Sequence, residues 1–154
     1  MQKFEFGNIF ELYYQDVFNY SNSLLKNKDD ARDAAQDVFT KALETQYSFR
    51  GECSIKTWLL VITRNYCYMK LRKPLPFIES IDDDIPAIKE SAIELKLSIE
   101  SAMERLSDSE YELVYLREYA GYSYNEISEI MNIGLDLVRT RLFRVRKKLQ
   151  KYLK

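Results

Sequence analysis

The sequence predicts an all-α protein in which two small helical domains are joined by a flexible acidic linker. Apolar residues recur at spacings of three and four along most of the chain, and no stretch sustains the alternation of a β-strand. All three prolines fall within 74–86, in the stretch PLPFIESIDDDIP, where acidic residues interrupt any apolar period. We therefore predict domains at 1–73 and 92–154 and a linker at 74–91.

Composition excludes several classes of function. The 154 residues carry a formal net charge of -1 and include two cysteines and no histidine. Cys53 and Cys67 fit neither a disulfide framework nor a metal cluster, and we expect buried or half-buried thiols. With no GxxxxGK loop and no recognisable catalytic constellation, we expect no catalytic residue, metal, cofactor or small-molecule substrate. The chain lacks a membrane-length apolar run and a signal peptide, so the cytoplasm is the expected location.

The first domain is predicted to begin with two amphipathic helices. The first covers 8–26, and the residues on or near its apolar face are Ile9, Leu12, Tyr13, Val17, Tyr20 and Leu24. The second lies in DDARDAAQDVFTKALE, with Asp29 or Asp30 as its N-cap. Its apolar stripe consists of Ala31, Ala34, Ala35, Val38, Phe39, Ala42 and Leu43. Its polar face, which periodicity alone assigns to solvent, consists of Asp33, Gln36, Asp37, Thr40, Lys41 and Glu44.

A third helix is predicted after FRGECS, with Ser54 as its N-cap. Its predicted buried seam is Ile55, Trp58, Leu59, Ile62, Tyr66 and Met69. The residues predicted to turn outward are Thr57, Val61, Arg64, Tyr68 and Arg72, with Asn65 bordering the seam. Interleaved arginine and tyrosine suit single-stranded nucleic acid, because cations meet phosphates and aromatic faces stack on bases. The competing interpretation is that these tyrosines belong to the core.

The second domain has the outline of a helix-turn-helix. After a helix near 88–105, two S-x-x-E capping boxes, Ser107 with Glu110 and Ser123 with Glu126, each begin a helix. The short helix after Ser123 is predicted to turn Ile127, Ile130 and Met131 inward. The turn Asn132-Ile133-Gly134 then leads into a long last helix, which is the order of elements in a helix-turn-helix.

The last helix separates an apolar seam from a basic surface. From Val138 onward, in VRTRLFRVRKKLQKYLK, the sequence contains no acidic residue. The predicted apolar seam of this last helix is Leu135, Val138, Leu142, Val145 and Leu149. The residues predicted to point outward are Asp136, Thr140, Phe143, Arg144 and Lys147, with Arg139 and Arg141 on the flanks. Such a helix could lie on an anionic membrane, but the preceding short helix and turn favour the DNA major groove.

Four blocks in order resemble one family, the extracytoplasmic-function (ECF) sigma factors of bacterial RNA polymerase. They are DARDAAQDVFTKALE, FRGECSIKTWLLVITRN, ERLSDSEYELVYLREYAGYSYNEISEIMNI and VRTRLFRVRKKL. The resemblance covers about 8–73 and 92–151, and it implies sigma domains 2 and 4 without a third domain. It further implies that the protein directs core RNA polymerase to specific promoters and assists promoter melting. The implied partners are the clamp helices and flap of the polymerase, promoter DNA, and an anti-sigma factor in the cytoplasm or at the membrane.

The resemblance also implies roles for individual residues. The residues implied to dock on the clamp helices of the largest polymerase subunit are Asp33, Gln36 and Asp37. The residues implied to open the minus-ten element and hold a flipped base are Phe49, Arg50, Gly51, Ser54, Trp58, Arg64, Asn65 and Tyr68. The residues implied to contact the minus-thirty-five element are Arg139, Thr140, Arg141, Phe143, Arg144 and Lys147. Lys148 and Lys151 are interpreted, with Lys147, as a trailing clamp on phosphates.

The start of the last helix departs from the family pattern. Where the family usually has Ser followed by Gly-Thr, this chain has Gly134 and then Asp136-Leu137. Asp136 is expected either to cap the helix or to repel phosphate, and an unusual minus-thirty-five preference follows. Two alternatives remain at this stage: a dimeric helix-turn-helix regulator with 8–73 as its sensor or dimerisation domain, and a membrane-surface protein using the basic helix.

Overall fold

The computed structural model describes residues 6–72 and 99–153, and within these ranges every regular element is helical. The first range contains α1 (Phe6–Leu25), α2 (Lys28–Glu44), a 3₁₀ turn (Gln46–Ser48) and α3 (Ile55–Leu71). The second contains α4 (Ile99–Glu104), α5 (Asp108–Val114), a π-helical segment (Tyr115–Tyr119), α6 (Tyr124–Met131) and α7 (Leu135–Leu153). The predicted linker at 74–91 and the predicted helix before residue 99 lie outside the described residues.

The chain divides into two compact units. The first comprises Met1–Leu75 with Glu129–Asn132, and the second comprises Pro76–Ser128 with Ile133–Lys154. None of the helices in the described ranges is long and apolar enough to cross a bilayer.

In the first unit, α1, α2 and α3 pack pairwise around one core. The buried residues of α2 are Ala31, Ala34, Ala35, Val38, Phe39 and Ala42, which confirms most of the predicted stripe. Leu43 and Leu12 were expected in the core but are 46% and 66% exposed. Leu12 precedes the buried Val17 by five residues, which is not a same-face spacing on a helix.

The N-cap of α2 is Asn27 rather than Asp29 or Asp30. The Asn27 backbone is extended, and its side-chain oxygen accepts a hydrogen bond from the Asp30 backbone N–H at 2.9 Å. The N-cap, and with it the start of the helix, therefore lies two to three residues earlier than predicted. Asp29 and Asp30 lie in the first turn, where the helix dipole favours carboxylates.

The predicted buried face of α3 is wrong except at Leu59, which is buried as expected. The buried residues of α3 are Thr57, Leu59, Leu60, Thr63, Arg64, Cys67 and Tyr68, whereas Met69 is 63% exposed. The prediction failed because α3 carries apolar side chains on both sides. The size and spacing of these side chains favoured the face of Trp58, Ile62 and Met69, which is not the buried one. Because α3 packs against both α1 and α2, it buries a broad face on which Leu59 and Leu60 lie together with polar side chains. The Thr63 hydroxyl is compatible with burial because it donates to the Leu59 carbonyl at 2.8 Å.

In the second unit, both predicted capping boxes are present. Ser107 N–H donates to Glu110 Oε1 at 2.9 Å and Glu110 N–H donates to Ser107 Oγ at 3.2 Å. The same reciprocal pair joins Ser123 and Glu126, at 2.9 and 3.0 Å. Together they fix where α5 and α6 begin.

The predicted core of the helix-turn-helix is confirmed. Ile127, Ile130 and Met131 of α6 are buried, and so are Val138, Leu142 and Val145 of α7. Between these helices Asn132 takes a left-handed conformation, with φ of 57°. Val145 joins Met103, Leu106 and Val114 in a cluster against which Leu149 and Tyr152 pack. The back of α7 is thus held by apolar burial, and its other side is available for contact.

Candidate docking face and nucleic-acid interfaces

The polar face of α2 exposes the three predicted docking residues. Asp33, Gln36 and Asp37 are all exposed, one turn apart, on the side opposite the buried alanines. A carboxylate–amide–carboxylate triplet on a rigid helix offers acceptors to a basic partner surface. Because the alanines hold α2 in the core, the positions of these three side chains on the surface follow from the packing.

Tyr66 of α3 contacts this polar face of α2, a contact that the sequence did not predict. Its hydroxyl donates a hydrogen bond to Asp37 Oδ2, and the ammonium of Lys70 lies 5.9 Å from the centre of its ring. Burial first, and then the Asp37 carboxylate, raise the pKa of Tyr66 well above its ordinary value. The phenol therefore stays protonated at neutral pH and remains a donor. Its position three residues before Met69 had assigned it to the core.

The loop from Phe49 to Ser54 is tied to α3 at both ends. The ring of Phe49 packs against Trp58 with centroids 5.2 Å apart, and Ser54 Oγ accepts from the Thr57 backbone N–H at 3.0 Å. Between them Gly51 has a φ of 79°, a left-handed conformation that favours glycine. Arg50, Gly51 and Ser54 are exposed, while Phe49 and Trp58 are half-buried. The loop thus presents a cation and free backbone beside an aromatic pair.

Two predicted minus-ten residues do not face solvent. Arg64 is 5% exposed and Tyr68 is 3% exposed, and the Arg64 guanidinium lies 5.0 Å from the centre of the Tyr68 ring. The prediction that they turn outward is therefore wrong, because the buried face of α3 is the opposite one. Asn65, between them in sequence, is exposed as its proposed role requires.

Tyr47 is an exposed aromatic residue that helical periodicity could not identify. It belongs to the 3₁₀ turn immediately before the Phe49–Ser54 loop, and it is 84% exposed. An exposed ring beside a loop that carries the exposed cation Arg50, and also the exposed acid Glu52, has the chemistry of a base-stacking platform. The signal that could have found it is its position in sequence, two residues before Phe49.

The outer side of α7 carries the predicted minus-thirty-five residues. Arg139, Thr140, Arg144 and Lys147 are exposed, Phe143 is 61% exposed, and Arg141 is half-buried. Lys147 lies with its ammonium 5.2 Å from the centre of the Phe143 ring. These positions agree with the outward face predicted from the sequence.

Other basic residues of α7 are used to hold the helix in place. Arg146 pairs with Glu118 at 2.5 Å, and Lys148 pairs with Glu110 at 2.6 Å. The Lys148 and Glu110 side chains are only 26% and 21% exposed, so Lys148 is not the free phosphate clamp that the sequence suggested. Glu110 serves two purposes, since its other oxygen closes the capping box with Ser107.

At the start of α7, Gly134 accepts the first backbone hydrogen bonds, from Leu137 and Val138 at 3.1 Å each. The Asp136 carboxylate contacts Arg139, with 3.3 Å between Oδ1 and Nη1. Arg139 also lies 5.9 Å from the centre of the Tyr124 ring of α6. Asp136 lies inside α7, which begins at Leu135, so it is not the N-cap but forms an ion pair within the first turn, and its repulsion of phosphate stays a prediction.

The cysteines are placed as expected, with Cys53 half-buried and Cys67 buried, both as free thiols. Within residues 6–72 and 99–153, no group of three or more His, Cys, Asp or Glu side chains is arranged to hold a metal ion.

Comparison with known proteins assigns both units to one class. Residues 9–74 match the model of sigma-70 region 2, and residues 96–149 match that of sigma-70 region 4. The chain is 30% identical to the RNA polymerase sigma factor YlaC of Bacillus subtilis, over 94% of this chain and 89% of the relative. It is 29% identical to the ECF RNA polymerase sigma factor SigM of the same organism, over 92% and 91%.

A solved structure supports the same assignment. The sigma factor RpoE from Bartonella quintana, crystallised with the anti-sigma factor NepR, superposes with a TM-score of 0.70 at 28% identity, covering 95% of this chain and 94% of that one. The fold and sequence matches together define a two-region sigma-70 protein. The chain belongs to the ECF sigma factors, whose function is in transcription initiation. This membership removes the dimeric regulator and the membrane-surface protein as alternatives.

Proposed function

We propose that this chain binds core RNA polymerase through α2, opens the minus-ten element with the Phe49–Ser54 loop, and reads the minus-thirty-five element with α7. The observation that carries the proposal is the exposed Asp33, Gln36 and Asp37 triplet in a chain that also has a helix-turn-helix. A DNA-binding regulator has no use for such a face, whereas a subunit that recruits polymerase requires one. The domain boundaries are 1–73, 74–91 and 92–154.

In the minus-ten region, the residues that act on DNA are those of the loop together with Asn65 and Tyr47. Arg50 meets phosphate, Gly51 allows a close backbone approach, and the rings of Phe49 and Trp58 shape the pocket. Base flipping costs a few kcal/mol of stacking, which aromatic and cationic contacts must return. Arg64 and Tyr68 support this surface from the core instead of touching DNA, and Ser54 supports it as the N-cap of α3.

In the minus-thirty-five region, α7 lies in the major groove. Thr140, Phe143 and Arg144 project from the side opposite the apolar seam, with Arg139 and Arg141 on the flanks. Arginine forks read guanine N7 and O6, and threonine or lysine fix the register on the backbone. Lys147 and Lys151 extend the phosphate contact along the helix, whereas Lys148 is committed to Glu110.

The partners are core RNA polymerase, through its largest-subunit clamp helices and its flap, and promoter DNA. An anti-sigma factor keeps the protein inactive until a signal arrives, and the Bartonella quintana relative crystallised with such a partner supports this. The protein works in the cytoplasm, or at the membrane when its anti-sigma factor is anchored there. It carries out no chemistry of its own and uses no cofactor.

The deciding experiment mixes the protein with core polymerase lacking sigma and a fragmented bacterial genome, and maps transcript starts. A stable complex with core and a new set of starts sharing two spaced elements are expected. Absence of both a complex and new starts would overturn the proposal. Binding to duplex as a dimer, with no association with core, would also contradict the proposal.

A further inference from the structure

The first turn of α7 holds an exposed ion pair that folding does not require. Asp136 and Arg139 are three residues apart, and their side chains are 99% and 55% exposed. Exposed pairs of this kind contribute little to stability, because solvent screens the charges and holding them costs entropy. The pair nevertheless occupies the part of a helix-turn-helix recognition helix that contacts base edges, which is its N-terminal end.

The Arg139 guanidinium is restrained on two sides. Its Nη1 lies 3.3 Å from Asp136 Oδ1, and its central carbon lies 5.9 Å from the centre of the Tyr124 ring. A guanidinium has five N–H donors in a rigid fork, so the contact with Asp136 leaves donors for a second acceptor pair. Guanine N7 and O6 form the acceptor pair that an arginine fork matches. Restraint before binding reduces the entropy that is lost when the fork engages a base.

Asp136 retains acceptors of its own. An ionised carboxylate has about four lone-pair sites, and the contact with Arg139 uses one oxygen. A carboxylate is repelled by phosphates and by the acceptors at the edges of thymine and guanine, whereas the N4 amino group of cytosine donates to it. In the major groove this side chain therefore favours cytosine over guanine and thymine, whereas adenine offers a donor at N6 beside an acceptor at N7.

We propose that Asp136 is a specificity-determining residue, which orients Arg139 onto a guanine and accepts a hydrogen bond from a neighbouring cytosine of the minus-thirty-five element. This inference rests on the proposed function, since it requires α7 to lie in the major groove of a promoter.

The test uses holoenzyme reconstituted from core polymerase and the full chain, with a promoter library randomised across the minus-thirty-five element. Wild type is expected to select a guanine with a cytosine beside it on one of the strands. Asp136→Asn is isosteric, and its amide matches adenine N6 and N7, so cytosine enrichment should fall about tenfold and adenine should rise. Arg139→Lys keeps the positive charge but removes the planar guanidinium with its paired donors. Guanine enrichment should therefore fall.

Asp29→Asn is the matched control. Asp29 pairs with Arg32 at 3.1 Å, also three residues apart in a first turn and exposed on both sides, but on α2. Holoenzyme carrying Asp29→Asn should show the same base preferences as wild type. Normal core binding and promoter selection with unchanged base preferences in Asp136→Asn would overturn this inference and leave the proposed function standing. Failure of wild type both to bind core and to select promoters would overturn both.

Discussion

Tyr66 shows how one hydroxyl can connect two functional helices. It reaches from α3 to Asp37 on α2, 29 residues away in sequence, and so fixes the orientation of a carboxylate that we propose binds polymerase. The hydrogen bond is formed in the free protein, so Asp37 need not be ordered when the partner arrives. Pre-orientation of this kind improves affinity without adding any contact.

Tyr66→Phe should therefore weaken association with core polymerase about fivefold, the equivalent of about 1 kcal/mol for one hydrogen bond at a half-exposed site. Tyr47→Phe removes a hydroxyl from an 84% exposed ring and should leave association unchanged. Fluorescence anisotropy with labelled protein measures both. In an Asp37→Asn background, Tyr66→Phe should cause no further loss of affinity for core polymerase. An equal loss in both backgrounds would show that Tyr66 acts independently of Asp37.

The same hydrogen bond makes a pH-dependent contribution to stability. The folded-state pKa of Tyr66 is raised, so its contribution is complete below the unfolded value of about 10 and is lost as pH rises through the folded value. Urea unfolding should give wild type a constant advantage over Tyr66→Phe from about pH 7 to 9. That advantage should decline above about pH 10. A difference in unfolding free energy between wild type and Tyr66→Phe that stays constant across the alkaline range would contradict a raised pKa of Tyr66.

Gly51 is the second residue with a defined conformational role. Its φ of 79° is costly for other residues, and nothing lies within 4 Å of the position that a Cβ would occupy. Gly51→Ala should therefore cost about 1 kcal/mol through the backbone alone and distort the loop. Gly121→Ala has the same φ and equally open surroundings in the second unit. Both substitutions should lower stability. Only Gly51→Ala should also slow the opening of a minus-ten element, measured with a fluorescent base in the element and saturating holoenzyme.

At the scale of the element, α7 divides its positive charges between two tasks. Arg146 and Lys148 pair with glutamates of the same unit, and Arg105, the residue after α4, lies 4.2 Å from the centre of the Tyr152 ring near the end of α7. Arg144 and Lys147 remain on the outer side. The acids that neutralise the inner cations lie in and just after α5, so the basic character of α7 is directed outward.

This division predicts opposite results for two neighbouring lysines. Lys151→Ala removes an exposed cation, so affinity for minus-thirty-five duplex should fall and the slope against log salt should flatten by about one. Lys148→Ala breaks the pair with Glu110, so the urea unfolding free energy should fall by about 1 kcal/mol with the salt slope unchanged. A flattened slope for Lys148→Ala would show that this residue does contact phosphate.

At the scale of the whole molecule, the proposed surfaces lie on separate units. The docking face and the minus-ten loop belong to the first unit, and the outer side of α7 belongs to the second. Residues 9–74 match region 2 and residues 96–149 match region 4, and we propose that a promoter is recognised by two modules whose individual affinities combine. Substitutions in one unit should therefore leave the function of the other intact.

Asp37→Arg and Arg144→Ala test this separation. Asp37→Arg reverses a charge on the docking face and should abolish association with core while leaving binding of an isolated minus-thirty-five duplex unchanged. Arg144→Ala should leave association with core intact but reduce discrimination between minus-thirty-five sequences by about tenfold, as expected for one base contact. Circular dichroism should show unchanged helical content in both. A variant that impairs both activities would show that the surfaces are coupled.

The amino-acid sequence by itself determined where most helices begin, which face of α2 and α7 is buried, and the presence of a helix-turn-helix. These features follow from local signals: the capping boxes at Ser107 and Ser123, the alanine stripe, and the leucine and valine seam of α7. Each depends on residues within a few positions of one another, which spacing alone reveals. The family resemblance added the order of the functional surfaces.

Only the tertiary structure decided which face of α3 is buried and which charges are already paired. Two apolar faces compete on α3, and its packing against both α1 and α2 buries the one that carries Leu60, Arg64 and Tyr68. The partners of Tyr66, Arg146 and Lys148 are 29, 28 and 38 residues distant. Periodicity reports the shape of one helix, whereas burial and ion pairing depend on the surface that another helix presents to it.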